Sequence, residues 1–185
     1  MQHFRLSPSV ALLRSLSTLL VFVLSVSAFS QKQIGRALTK HYSYQDYGAA
    51  PINWWAVEDA NGIMYFANQA GILQYDGVSW NLLEGSGGTR CLAKDDEGTI
   101  YVGGGGDFGY LETTDSGALE FVSLLEEVPE EHKNFDVVWE VDYYQGRVIF
   151  RTEFKLYCWD GETMKVIESE QAYHVGSIVN DTYYL

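Results

Sequence analysis

The chain has 185 residues, of which 46% are hydrophobic and 20% charged, with 12 Lys and Arg against 25 Asp and Glu and a formal net charge of −13. Such an acidic surface repels phosphate backbones, which excludes nucleic-acid binding by electrostatic attraction. Neutral glycans, basic peptides and cations stay open as ligands, and charge alone selects none of them.

In residues 1–30, Arg5 and Arg14 precede an apolar run over 16–26, and Ala28-Phe29-Ser30 supplies small residues at the two positions a signal peptidase inspects. A signal peptide over 1–30 and a mature start at Gln31 are therefore expected, with export to the periplasm. The run is short against the roughly 20 residues of a membrane span, and an uncleaved anchor is the alternative. Losing two arginines and no acid takes the formal charge from −13 to −15 in residues 31–185. A lead-in segment follows over 31–52.

From residue 53 the sequence repeats. Anchored on Gly62, Gly98 and Gly146, the stretches GIMYFANQAGILQYDG, GTIYVGGGGDFGYLET and GRVIFRTEFKLYCWDG align without a gap, 36 and then 48 residues apart. Backwards, Trp55, Cys91 and Trp139 sit at one distance from the anchor. Asn61-Gly62, Glu97-Gly98 and Gln145-Gly146 read as hairpin turns, with Gly where positive φ is needed. The second strand has Met64 and Phe66 on one side and Tyr65 and Ala67 on the other, apolar both ways, so both faces are expected to be buried. Asp76-Gly77 and Asp160-Gly161 turn the third strand into a fourth, whereas the second unit has Glu112-Thr113 there.

Four antiparallel strands per unit predict an all-β fold, a β-propeller of radially arranged blades. The expected blades are about 53–87, 88–135 and 136–174, with a fourth begun over 175–185. The extra length of the second unit lies in SLLEEVPEEHKNFD, residues 123–136, whose acidity predicts a surface loop or short helix. Three blades and a fraction cannot close a ring of four to eight, so an incomplete ring from a longer protein is expected.

The ordered series over 41–185, with GILQYDGVSW, GGGGDFGYLE, FVSLLEEVPEE and VVWEV, resembles the two-component regulator propeller repeats of Bacteroidetes-type periplasmic sensors that carry a triple-tyrosine domain. The resemblance implies the N-terminal part of a ligand-sensing propeller, non-catalytic in this segment and joined through a membrane segment to a cytoplasmic kinase, DNA-binding, cyclase or phosphatase-like output. The implied partners are an extracellular ligand, a glycan among the candidates, downstream domains of the same polypeptide, and a second copy of the chain as a homodimer. A secreted glycan-active propeller enzyme or a surface adhesin is the alternative, because fold does not decide function.

No cofactor, metal or catalytic residue is expected. Gly104 to Gly109 spell G-x-G-x-x-G, but a dinucleotide turn needs a helix next, and Tyr110-Leu111-Glu112-Thr113 reads as a strand. The acidic turns at Asp59 and Asp95 lack the six to eight oxygens a calcium loop assembles, and turn chemistry accounts for them. His41, His132 and His174 fit no zinc pattern. Cys91 and Cys158 are expected as free thiols despite the oxidising compartment.

The aromatics Trp55, Tyr75, Trp80, Trp139 and Trp159 recur at repeat positions and are expected in the packing between blades. Residues that differ between units at strand starts and loops are where a repeated scaffold places specificity. Those are Trp54, Asn68, Gln69, Arg90, Phe108, Arg151, Glu153 and Phe154, the candidate ligand-binding residues.

Overall fold

The computed structural model describes residues 39–85 and 87–185; the expected signal peptide and the start of the lead-in lie outside the described residues. All elements below belong to the unit His41–Leu185. A single-turn helix, α1 (Tyr44–Tyr47), is followed by three four-stranded antiparallel sheets: β1–β4 (Asn53–Glu58, Met64–Asn68, Gly71–Tyr75, Trp80–Leu83), β5–β8 (Thr89–Lys94, Ile100–Gly104, Phe108–Thr113, Leu119–Ser123) and β9–β12 (Glu140–Tyr144, Arg147–Arg151, Lys155–Trp159, Met164–Glu168). A hairpin, β13 (Ser177–Val179) and β14 (Thr182–Tyr184), ends the chain. Each sheet is a meander in sequence order, and the first strands β1, β5 and β9 lie side by side. This is the expected all-β propeller architecture: three blades and the first two strands of another, arranged as an arc. Among the described residues no helix is long and apolar enough to cross a membrane.

The second strands are apolar on both faces because each blade is sandwiched. Tyr65, Ala67 and Ile72 of the first blade meet Leu92, Ile100, Val102 and Leu111 of the second, and Cys91, Tyr101 and Phe108 on its other side meet Val141, Val148, Phe150 and Tyr157 of the third. Burying each such large apolar side chain is worth about 1.5–3 kcal/mol. Glycines adjust the spacing. A Cβ at Gly103 would sit 2.6 Å from Val138 Cγ1 and 2.8 Å from Cys91 Sγ, and one at Gly109 would run into the Val122 carbonyl. The nucleotide-like glycine run is therefore inter-blade and inter-strand packing, and β7 follows it as a strand.

Both expected turn families form, and they differ in a way the letters conceal. In the first two blades Asp59 and Asp95 Oδ1 accept backbone N–H bonds from Asn61 and Ile63, and from Glu97 and Thr99, and Glu58 pairs with Met64 as Lys94 pairs with Ile100. The third blade has no Asp there. Tyr144 pairs directly with Arg147 across Gln145-Gly146, both with positive φ (49° and 76°), a two-residue hairpin of the primed kind. Tyr143 consequently lies opposite Val148 where the ungapped alignment puts Asp142. Strand β9 is thus displaced by one residue against β1 and β5, which corrects the backward alignment of Trp139 with Trp55 and Cys91.

The acidic insert is also more than a surface loop. It forms two single-turn 3-10 helices, Leu125–Glu127 and Glu130–His132, and inserts Leu124 and Val128 into the core between the second and third blades. Phe135 stacks near Phe108 and Tyr157, with ring centroids at 5.6 and 5.2 Å. Its polar fastening to the third blade is Tyr157 Oη donating to the His132 carbonyl (2.7 Å), Lys155 Nζ donating to the Asn134 carbonyl (3.4 Å) and Glu168 contacting His132 Nδ1 (3.0 Å). The lead-in covers the free face of the first blade: the Tyr42 and Tyr47 rings lie 5.1 and 5.4 Å from Trp80, which stacks on Tyr75 at 4.3 Å. Both cysteines are free thiols on opposite faces of the third blade's sheet, Cys91 against one side and Cys158 on the other.

Two expectations follow for stability. Gly109→Ala should lower the unfolding free energy by about 1–3 kcal/mol in denaturant titrations, since a backbone carbonyl blocks the added methyl. Asp76 accepts bonds from the backbone N–H and hydroxyl of Ser79 and from the Val78 N–H, which lowers its pKa from 3.8 to about 2. Its contribution to the turn is complete above the ordinary value of 3.8 and is lost as pH falls through about 2. A carboxyl chemical-shift titration by NMR should show Asp76 titrating well below a peptide aspartate.

Candidate functional site

The starts of the inner strands form one rim of the arc. At the first strand of the first two blades the ladder carries a bulge: the pairing steps from Asn53 to Trp55, and from Thr89 to Cys91, so that Trp54 and Arg90 are the extra residues. A bulge re-aims its residue out of the sheet's alternation. In the third blade the N–H of Trp139 donates to the Arg151 carbonyl at 2.8 Å while Glu140 is paired with the same residue, so Trp139 takes the corresponding place. The one-residue displacement of β9 is what delivers it there.

The three side chains meet. Arg90 Cζ lies 4.2 Å from the ring centroid of Trp54 and 5.3 Å from that of Trp139, so the guanidinium is held between two indoles. Such contacts are worth about 0.5–2 kcal/mol each, depending on desolvation. Trp54 and Trp139 remain 46% and 48% exposed. Among the described residues, Arg90 has no hydrogen bond or ion pair, and the Gln69 side chain has none either. Both line a cavity of about 350 Å³ with Trp54, Gly87, Gly88, Thr89, Gly105 and Val137. The Thr89 hydroxyl, fully buried, finds no hydrogen-bond partner among the described residues. Val137 is shared with a second cavity of about 240 Å³, and that one shares Trp139 and Glu153 with a third of about 410 Å³. Adjoining through these shared residues, the three line the rim as a furrow.

Of the eight candidates, the structure brings Trp54, Gln69 and Arg90 together in the first cavity and places Glu153 and Phe154, both exposed, along the rest of the furrow. The other three are scaffold. Phe108 is fully buried in the core, its ring 4.4 Å from Phe150, because its strand turns the side chain toward the third blade. Asn68 is fully buried, accepting from the Ala50 and Ala70 amides and donating to the Ala50 carbonyl and Asn53 Oδ1, which ties the lead-in to the rim. Arg151 lines the third cavity but is only 5% exposed, and its guanidinium donates to Glu140 Oε2 (2.8 Å) and the Tyr173 carbonyl (3.1 Å). Glu140 Oε2 also accepts from the Gly176 amide at 2.7 Å, so the pair fastens the connection to the last hairpin. Asp142 beside it has its pKa raised by burial, while the Tyr183 hydroxyl, bonded to it at 2.9 Å, pulls the other way. The residue that sequence reasoning missed is Trp139; the missing turn aspartate of the third unit was the available signal.

No group of three or more His, Cys, Asp or Glu side chains among the described residues is arranged to hold a metal ion. The carboxylates of Asp59 and Asp95 are engaged by their own turns.

No family model and no curated protein matches the chain. Among solved structures it is similar to the extracellular domains of two proteins described as hybrid two component systems of B. thetaiotaomicron. With that of BT4673 the TM-score is 0.54 at 17% identity, over 76% of this chain and 19% of the other; with that of BT3049 it is 0.52 at 16% identity, over 71% and 17%. The chain thus spans less than a fifth of those domains' length, and at this identity the likeness establishes the shared fold.

The Arg151–Glu140 pair gives a test of its scaffold role. Arg151→Leu leaves a mostly buried carboxylate without its cation and should destabilise the protein by about 3–5 kcal/mol in chemical unfolding, whereas Phe154→Ala, on the exposed furrow, should stay within about 0.5 kcal/mol of the parent.

Proposed function

We propose that the chain is the N-terminal part of an exported, periplasmic sensor propeller of a signal-transduction regulator, and that it binds an extracellular ligand on the rim furrow without transforming it. The observation that carries this reading is the stack of Trp54, Arg90 and Trp139, two indoles and a guanidinium projected from the same place of three successive blades onto an open surface. A position that leaves large aromatic rings half exposed on two of the three blades serves no packing need of the blades themselves, and here these rings converge on one cation. Exposed indoles offer flat apolar faces for the C–H faces of a sugar ring, with polar groups at the edge to orient it. The extracellular domains with a similar fold support placement outside the cytoplasm. Signal output belongs to domains of the same polypeptide beyond the blades described here.

The test is an oligosaccharide array probed with the purified protein, followed by incubation of each retained compound with it. At least one class should be retained unaltered, with Trp54→Ala or Trp139→Ala weakening retention about tenfold or more, as for truncation of an aromatic anchor. Cleavage of a retained compound would favour the enzyme, and retention indifferent to both tryptophans would remove the furrow.

A further inference from the structure

We infer that the rim cavity is specific for an anion: its ligand presents a carboxylate to Arg90 and the flat face of a ring to Trp54 or Trp139. The inference rests on the reading of the rim as the binding surface and names the chemistry that surface selects.

The chain carries 25 acidic side chains against 12 basic ones. An arginine in such a molecule has carboxylates in abundance to choose from, and Arg151 takes one, pairing with Glu140. Arg90 takes none. Partly buried, it is held by aromatic rings alone, so its position is set while the N–H edge of its guanidinium is left without an acceptor. Indole faces orient a guanidinium without consuming its hydrogen bonds, since the contact is to the ring's electron-rich face and the donors lie in the plane of the cation. The result is a cation that is already ordered before a ligand arrives, which removes part of the entropic cost of binding.

The rest of the cavity agrees. Gly87, Gly88 and Gly105 wall it with backbone, and a Cβ at Gly105 would lie 2.7 Å from the Gly87 carbonyl, so the two loops touch only because neither has a side chain. Among the described residues no Asp or Glu lines this cavity, although Glu153 lines both of the other two. Gln69 adds an exposed amide that has no side-chain partner among the described residues. A volume of about 350 Å³ suits one ring with its substituents. A guanidinium reads a carboxylate through two parallel N–H···O bonds, which a hydroxyl cannot reproduce.

The experiment titrates the purified protein with galacturonate and benzoate, two ring carboxylates of different origin, and with galactose as the neutral counterpart, following tryptophan fluorescence and heat. At least one carboxylate should saturate, with affinity falling as salt rises, tenfold or more weaker in Arg90→Gln and weakened in Arg90→Lys, which keeps charge but loses the planar fork. Trp54→Ala should weaken it as well. If Arg90→Gln does not fold, galacturonate against galactose on the parent protein and its salt dependence decide. Galactose binding as tightly as galacturonate in a Trp54-dependent manner would overturn the anion inference while leaving the rim reading intact. Failure of both carboxylates to saturate at millimolar concentration, or equal binding by Arg90→Gln, would overturn it outright.

Discussion

Apolar side chains project from both faces of the second and third strands, and no four-stranded sheet can bury two faces by itself. Adjacent blades must therefore cover one another, and most of the molecule follows from that need. Tyr65 and Ala67 find Leu92 and Val102; Cys91 and Tyr101 find Val141 and Phe150. The first blade has a face with no blade before it among the described residues, and the lead-in lays Tyr42 and Tyr47 over it, against Trp80. Where the next-facing position of the second strand changes from Ala67 and Gly103 to Arg151, the junction becomes polar, and Glu140 supplies the counter-charge.

The same stacking makes the rim. Blades that pack face to face bring the starts of their inner strands side by side, so a residue bulged out of one strand reaches those bulged out of the neighbours. Trp54, Arg90 and Trp139 are far apart in sequence and form a ladder for this reason. A bulge is tolerated there because it lies at a strand end, where losing one ladder bond costs little and the next connection has to leave the sheet anyway. The insert that closes the furrow's third-blade side is held by the core it penetrates: Leu124, Val128 and Phe135 fix the backbone that carries Val137 and Trp139 to the surface.

Neighbouring positions of one repeat have thus diverged in use. Asn68, Gly104 and Thr152 occupy one place, and the first binds the lead-in, the second allows a loop crossing, and the third closes its own turn on Lys155. Variation between units marked Asn68, but variation reports that a position is free of the repeat's common task and is silent on which new task it took. Asn68 and Phe108 were legible as different and illegible as buried, because burial depends on neighbours supplied by another part of the chain.

What the sequence determined by itself was periodic: the hydrophobic alternation, the glycine turns and the Asp-Gly hairpins specify four-stranded blades, since these are short-range consequences of side-chain spacing and backbone torsion. The ungapped repeat even placed the second and third strands in register. The tertiary structure alone decided the position of Trp139. A two-residue turn in place of an aspartate-closed loop moves β9 by one residue, and in a strand one residue exchanges the faces. An alignment of letters counts positions from the glycine and cannot register that slip. The contacts across the sheet can, because only one pairing puts Val141 in the core and Trp139 beside Arg90.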